Sequence, residues 1–151
     1  MRESRIKAFA GFELVLDLMH ELRTGFGLDT ESVLIICCIN EATMRPLLLD
    51  PNTPASVKAM PVPPEEYRGS ISMLLVAERV NLPRETVRRR IKTLIQDGWV
   101  FQDSDGRVRS TPRLATPEAQ RMVRESFSAV KRYDQRLRAL GLVGVCGQRT
   151  S

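Results

Sequence analysis

Residues 69–113 read GSISMLLVAERVNLPRETVRRRIKTLIQDGWVFQDSDGRVRSTPR, and the order of signals in this stretch decides the fold. Ser72 offers a hydroxyl to the free N–H groups of a helix start, and the apolar run behind it predicts a helix through Val80. Asn81-Leu82-Pro83 ends that helix, because proline cannot continue a helix yet pre-sets the first turn of the next. A second helix is predicted over residues 84–96, stopped by Gly98, which tolerates the left-handed backbone of a helix end. Trp99-Val100-Phe101 and Arg107-Val108-Arg109 favour strands. Asp103-Ser104-Asp105-Gly106 between them carries the Asp-Gly sign of a hairpin turn, and Ser70-Ile71 predicts a tiny strand beside it.

In the second helix Val87, Ile91, Leu94 and Ile95 form one apolar stripe, which must face the first helix. Glu85, Arg89, Lys92 and Gln96 then point away, with Thr86, Arg88 and Arg90 on the shoulders. A helix with so cationic an outer face is built to approach something negative.

The run LLVAERVNLPRETVRRRIKTLIQDGWV resembles the helix-turn-helix of winged-helix bacterial transcription regulators of the GntR-like and MarR-like kind. The matching pieces are Ala77, Arg84, Thr86-Val87-Arg88, Ile91, Leu94 and Gly98-Trp99-Val100, about a third of the chain with its flanks. The resemblance implies a mainly α-helical fold with a small two- to three-stranded wing sheet, flanked by N- and C-terminal helices. It also implies double-stranded DNA as partner and a homodimer made by the first and last helices. One departure stands out: Pro83 replaces the serine of many relatives, removing a hydroxyl expected to contact phosphate.

A helix fits the major groove, where arginine bonds guanine bidentately, and in related domains the N-terminal half of the second helix enters it. Glu85 and Arg89 are therefore assigned to base edges, and Arg84, Thr86, Arg88 and Lys92 to backbone or flanking bases, with Ser72 a further contact. Arg107 and Arg109 alternate with Val108, so both are expected on one face of the wing, toward minor groove or phosphate. Arg90 has an alternative, an acid inside the subunit. The alternative for the whole unit is a winged helix used for protein contact or assembly, its arginines meeting acidic partners.

The charge distribution agrees with a nucleic-acid footprint. Twelve basic residues face six acidic ones between positions 84 and 132, whereas positions 1–83 hold eight basic and eleven acidic residues. The 151-residue chain, 42% apolar and 27% charged, has the composition of a soluble globular protein. No continuous apolar run reaches the roughly 18 to 20 residues of a membrane span. The start, MRESRIKAFAG, lacks a signal-peptide cleavage pattern. Three cysteines, two of them adjacent, make no disulfide framework, and a bacterial-type cytoplasm is the expected compartment.

Working outward, residues 1–45 are read as an N-terminal helical region for core and dimerisation. Phe9, Phe12, Val15, Leu16, Met19 and Leu22 mark an amphipathic helix over residues 6–23, closed by Thr24-Gly25-Phe26-Gly27. Asp29 then caps a second helix to about residue 45, apolar on all sides at its centre, for which periodicity alone leaves a strand as the alternative. Residues 46–69 form a Pro-rich connection, with one short helical turn after Thr53-Pro54. Residues 70–113 are the winged unit. Residues 114–151 hold a C-terminal helix, started by Thr116 and Pro117 and stopped by Gly141, with a Gly-rich tail. The apolar helices and the Pro-rich connection leave room for a small-molecule effector, which the sequence does not name.

Enzyme chemistry finds no foothold. His20-Glu21 lacks a second histidine four residues on, so no metal site is read there. Cys37-Cys38 lie in an apolar run and read as buried small hydrophobes rather than redox sensors. Gly141-x-x-Gly144-x-x-Gly147 follows a helix and leads to none, so it is no phosphate loop. Glu65-Glu66 is an exposed acidic pair in a Pro-rich segment, with no partner base for catalysis nearby in sequence. No cofactor and no catalytic constellation is expected.

Overall fold

The computed structural model describes residues 1–142. Gly144, Gly147 and Cys146, with the rest of the tail, lie outside the described residues. The chain divides into two units, residues 1–27 with 121–151, and residues 28–120.

In the second unit, α2 (Thr30–Leu49) starts where Asp29 accepts the Ser32 N–H at 3.0 Å. Val33, Ile35, Ile36 and Ile39 on α2 are fully buried, and α2 packs on α4, α5 and the second wing strand. α2 thus belongs to the core of the winged unit. Though broken by charged residues, the 20-residue α2 is long and apolar enough by composition to cross a bilayer, with mean hydropathy 1.5 over its most apolar window, half of which is buried. That apolarity is spent on the protein's own core.

Proline does not end α2 where the sequence suggests. The helix runs through Pro46 to Leu49, although Pro46 has no N–H for the Ala42 carbonyl. Gly69 packs against that opened turn, its own N–H donating to the Thr43 carbonyl at 2.9 Å. A Cβ there would stand 2.3 Å from the Ala42 oxygen, so only glycine fits. The connection itself holds α3 (Ala55–Lys58), as expected after Pro54, and a 3-10 turn at Glu65–Tyr67.

The 69–113 stretch folds as its signals predict. Ser72 accepts the Leu75 N–H and caps α4 (Met73–Val80), and Asn81 turns the chain at φ 53°. α5 (Arg84–Gln96) buries Val87, Ile91 and Leu94. The strands β1 (Val100–Gln102) and β2 (Val108–Ser110) pair antiparallel, Phe101 opposite Arg109, and Ile71 bridges Val108. Each strand starts one residue later than the sequence runs imply. The result is a mainly helical winged-helix fold with a small antiparallel sheet.

The first unit contains α1 (Arg2–Phe26) and most of α6 (Pro117–Ala139). α1 is longer at both ends than its apolar stripe predicts and stops at Gly27, φ 66°. Arg136 binds Glu13 at 3.0 Å and Arg132 binds Asp17 at 3.4 Å, an order that makes the two helices antiparallel. Phe12 and Leu16 on α1 remain about 70% exposed in the single chain, and Val123 and Phe127 on α6 about half exposed.

Candidate nucleic-acid interface

The apolar stripe of α5 is inside, so its other face is necessarily outside. Arg84, Glu85, Arg88, Arg89 and Lys92 are all exposed, and Thr86 is half-buried. Their charges are not equally available. Arg88 donates to Glu85 at 3.1 and 2.5 Å, and this bond holds the Glu85 carboxyl below its usual pKa. Arg90 turns inward to Asp29 and Glu31, the acid partners that the sequence left as its alternative. The side-chain charges of Arg84, Arg89 and Lys92 make no hydrogen bond or ion pair among the described residues, although the Arg89 carbonyl accepts from the Thr93 hydroxyl. They are the cations of α5 whose charge is uncompensated by direct contact.

The wing arginines part company. Arg107 donates to the Ser70 hydroxyl at 2.9 Å and the Ser70 carbonyl at 2.8 Å, neutral acceptors that leave its charge exposed. Arg109 bonds Asp103 at 2.7 Å and Glu65 at 2.6 Å, and its side chain is only 18% exposed. The Asp103 hydrogen bond pushes its pKa further up. The two wing arginines, expected alike, thus differ in the single chain: Arg107 is exposed and Arg109 is mostly covered. Asp103, just past β1, and Glu65 in the Pro-rich connection are the acids that meet Arg109, so its charge is paired inside the unit.

Glu65, which the sequence offers only as half of an exposed acidic pair, has a structural part in the wing. It accepts from Arg68 at 2.9 Å as well as from Arg109, tying the 3-10 turn to the wing. The spacing Glu65-x-x-Arg68 is the signal for the first of these pairs; nothing local announces the second. Arg113 stacks 3.8 Å over the Trp99 ring and donates to the Asp97 carbonyl, clasping the end of α5. Ser72 is half-buried, its hydroxyl turned to the α4 backbone.

The remaining reactive groups lie elsewhere. Burial pushes both the Cys37 and Cys38 thiols up, which disfavours the reactive thiolate. His20 is exposed on α1. Among the described residues no three potential metal ligands cluster.

The model of a family described as winged helix-turn-helix DNA-binding matches residues 67–100. That span covers α4, the turn, α5 and the first residue of β1, and it supports a DNA-binding regulator. No curated protein and no solved structure matches the chain.

Proposed function

We propose that this chain is a sequence-specific regulator of transcription that binds duplex DNA as a homodimer, through α5 and the wing, in a bacterial-type cytoplasm, without enzymatic activity. The observation that carries this reading is the exposed cationic row Arg84, Arg89 and Lys92 along the outer face of α5, whose side chains make no ion pair among the described residues. Arg89 and Glu85 address base edges, Glu85 accepting from a cytosine amino group. Arg84, Thr86, Arg88 and Lys92 hold flanking backbone, and Arg107 supplies the wing's cation. Ser72 adds a backbone contact only through whatever capacity its capping bond leaves. Arg109 is assigned to wing structure rather than to DNA.

The second copy is seated on the apolar face of α1 and α6, where Phe9, Phe12, Leu16 and Phe127 are more than half exposed in the single chain. A soluble chain gains by covering such a face, and two-fold pairing makes the operator an imperfect palindrome with half-sites about a helical turn apart, or a multiple of it. An effector is assigned to the cavity of about 330 Å³ lined by Met44, Leu47, Met60, Val62 and Leu114, with Arg68 at its wall. Arg68 also donates to the Ser110 carbonyl on β2, so an occupant that moves it moves the wing.

Selection of bound duplexes from a random pool tests the function directly. A palindromic consensus is the expected result. The rival use, a winged helix for protein contact, predicts no shift of random duplex even at low salt, and that outcome would overturn the regulator reading.

A further inference from the structure

Three consecutive arginines on α5 meet three different surroundings. The Arg88 side chain folds back on Glu85, the Arg89 guanidinium makes no hydrogen bond or ion pair among the described residues, and the Arg90 side chain reaches off α5 to another helix. Its Nη1 donates to Asp29 Oδ2 at 2.8 Å and its Nη2 to Glu31 Oε2 at 3.0 Å, 61 and 59 positions away in sequence. Two-thirds of the side chain is covered, and Nε is buried with no acceptor among the described residues.

The two acids are themselves held. Asp29 caps α2, accepting both the N–H and the hydroxyl of Ser32. Burial acts to raise its pKa, but those two bonds and Arg90 outweigh it and keep the carboxylate below its usual range. Glu31 sits two residues on, in the first turn of α2. Arg90 thus joins the middle of α5 to the start of the unit's most completely buried helix.

Partly exposed ion pairs add little stability, so what this fork supplies is geometry. Neighbouring positions on a helix point about 100° apart, and a rotation that brought Arg90 to a duplex would swing Arg89 off it. We infer that Arg90 is a positioning residue: held by Asp29 and Glu31, it fixes the rotation of α5 and so aims Arg89 at base edges without touching DNA. The inference rests on the DNA-binding reading above and names a determinant of its specificity.

The test uses the full chain, its selected duplex and a scrambled duplex of equal length. The Asp29→Asn/Glu31→Gln variant keeps side-chain size and the α2 cap, since asparagine caps as well as aspartate. By charge alone, removing two acids strengthens binding to both duplexes equally. Positioning instead lowers the selected-to-scrambled affinity ratio, by about tenfold or more if one bidentate base contact is lost. Arg90→Gln lowers the same ratio and leaves the salt slope unchanged, because a group that reaches no phosphate releases no counterion. Arg90→Lys, able to hold one acid, falls between, and carries the comparison if Arg90→Gln fails to fold. An unchanged ratio in the double variant, or a salt slope shallower by about one in Arg90→Gln, overturns the inference. Failure of the unaltered chain to bind any duplex is a separate result, and overturns the DNA reading itself.

Discussion

The Thr43 hydroxyl accepts the Ser110 backbone N–H at 2.9 Å while donating to the Ile39 carbonyl at 2.8 Å. Both residues are almost fully buried, so this one oxygen fastens the wing strand β2 to the core helix α2. Thr43→Val keeps the shape and leaves the Ser110 N–H without a partner, which costs about 1–3 kcal/mol. Thr43→Ser retains the bond and loses only a methyl. Urea denaturation of the two variants separates these effects; equal midpoints would show that the bond carries no stability.

Gly69 makes a second prediction about the same junction. Its missing side chain admits the Ala42 carbonyl, and the nearest obstacle to a Cβ is backbone rather than a flexible side chain. Gly69→Ala is expected to destabilise by about 1–3 kcal/mol, as overpacking does. Thermal unfolding measures it. An unaltered midpoint would mean that the Pro-rich connection can slide away from α2 at no cost.

For DNA, Arg89→Ala should lose about 1–3 kcal/mol on the selected duplex and relax one base position, because a bidentate base contact is removed. Lys92→Ala should weaken all sequences alike. If each subunit neutralises about four phosphates, log K falls with log salt at a slope near −7. Titrations at several salt concentrations decide both points, and sequence-blind losses for Arg89→Ala would remove it from base readout.

Association is separable from folding in this chain. Phe12 and Phe127 are already more than half exposed in the single chain, so Phe12→Asp and Phe127→Asp remove apolar area without emptying a core. Sedimentation is expected to show a dimer for the unaltered chain and a monomer for the variants, with weaker binding to a palindromic duplex. A monomeric unaltered chain would shift the apolar face to a different partner.

Much of the fold was readable residue by residue. The Ser72 cap, the Asn81-Leu82-Pro83 break, the limits of α5 and the Asp-Gly hairpin are local signals, each set by the conformations its own residues prefer. The stripe Val87, Ile91 and Leu94 also settled which face of α5 is bare, because helix periodicity leaves no choice. What the sequence could not assign is which bare charges are still free. Arg90 and Arg109 look like Arg89 and Arg107 in the chain, yet Arg90 ends on an acid 61 positions away, and Arg109 adds to its hairpin partner Asp103 one 44 positions away. Those long-range pairings arise only when α2 and the Pro-rich turn pack against the winged unit. For the same reason α2 runs past Pro46: Gly69, distant in sequence, supplies the close packing that a proline in an isolated helix would lack.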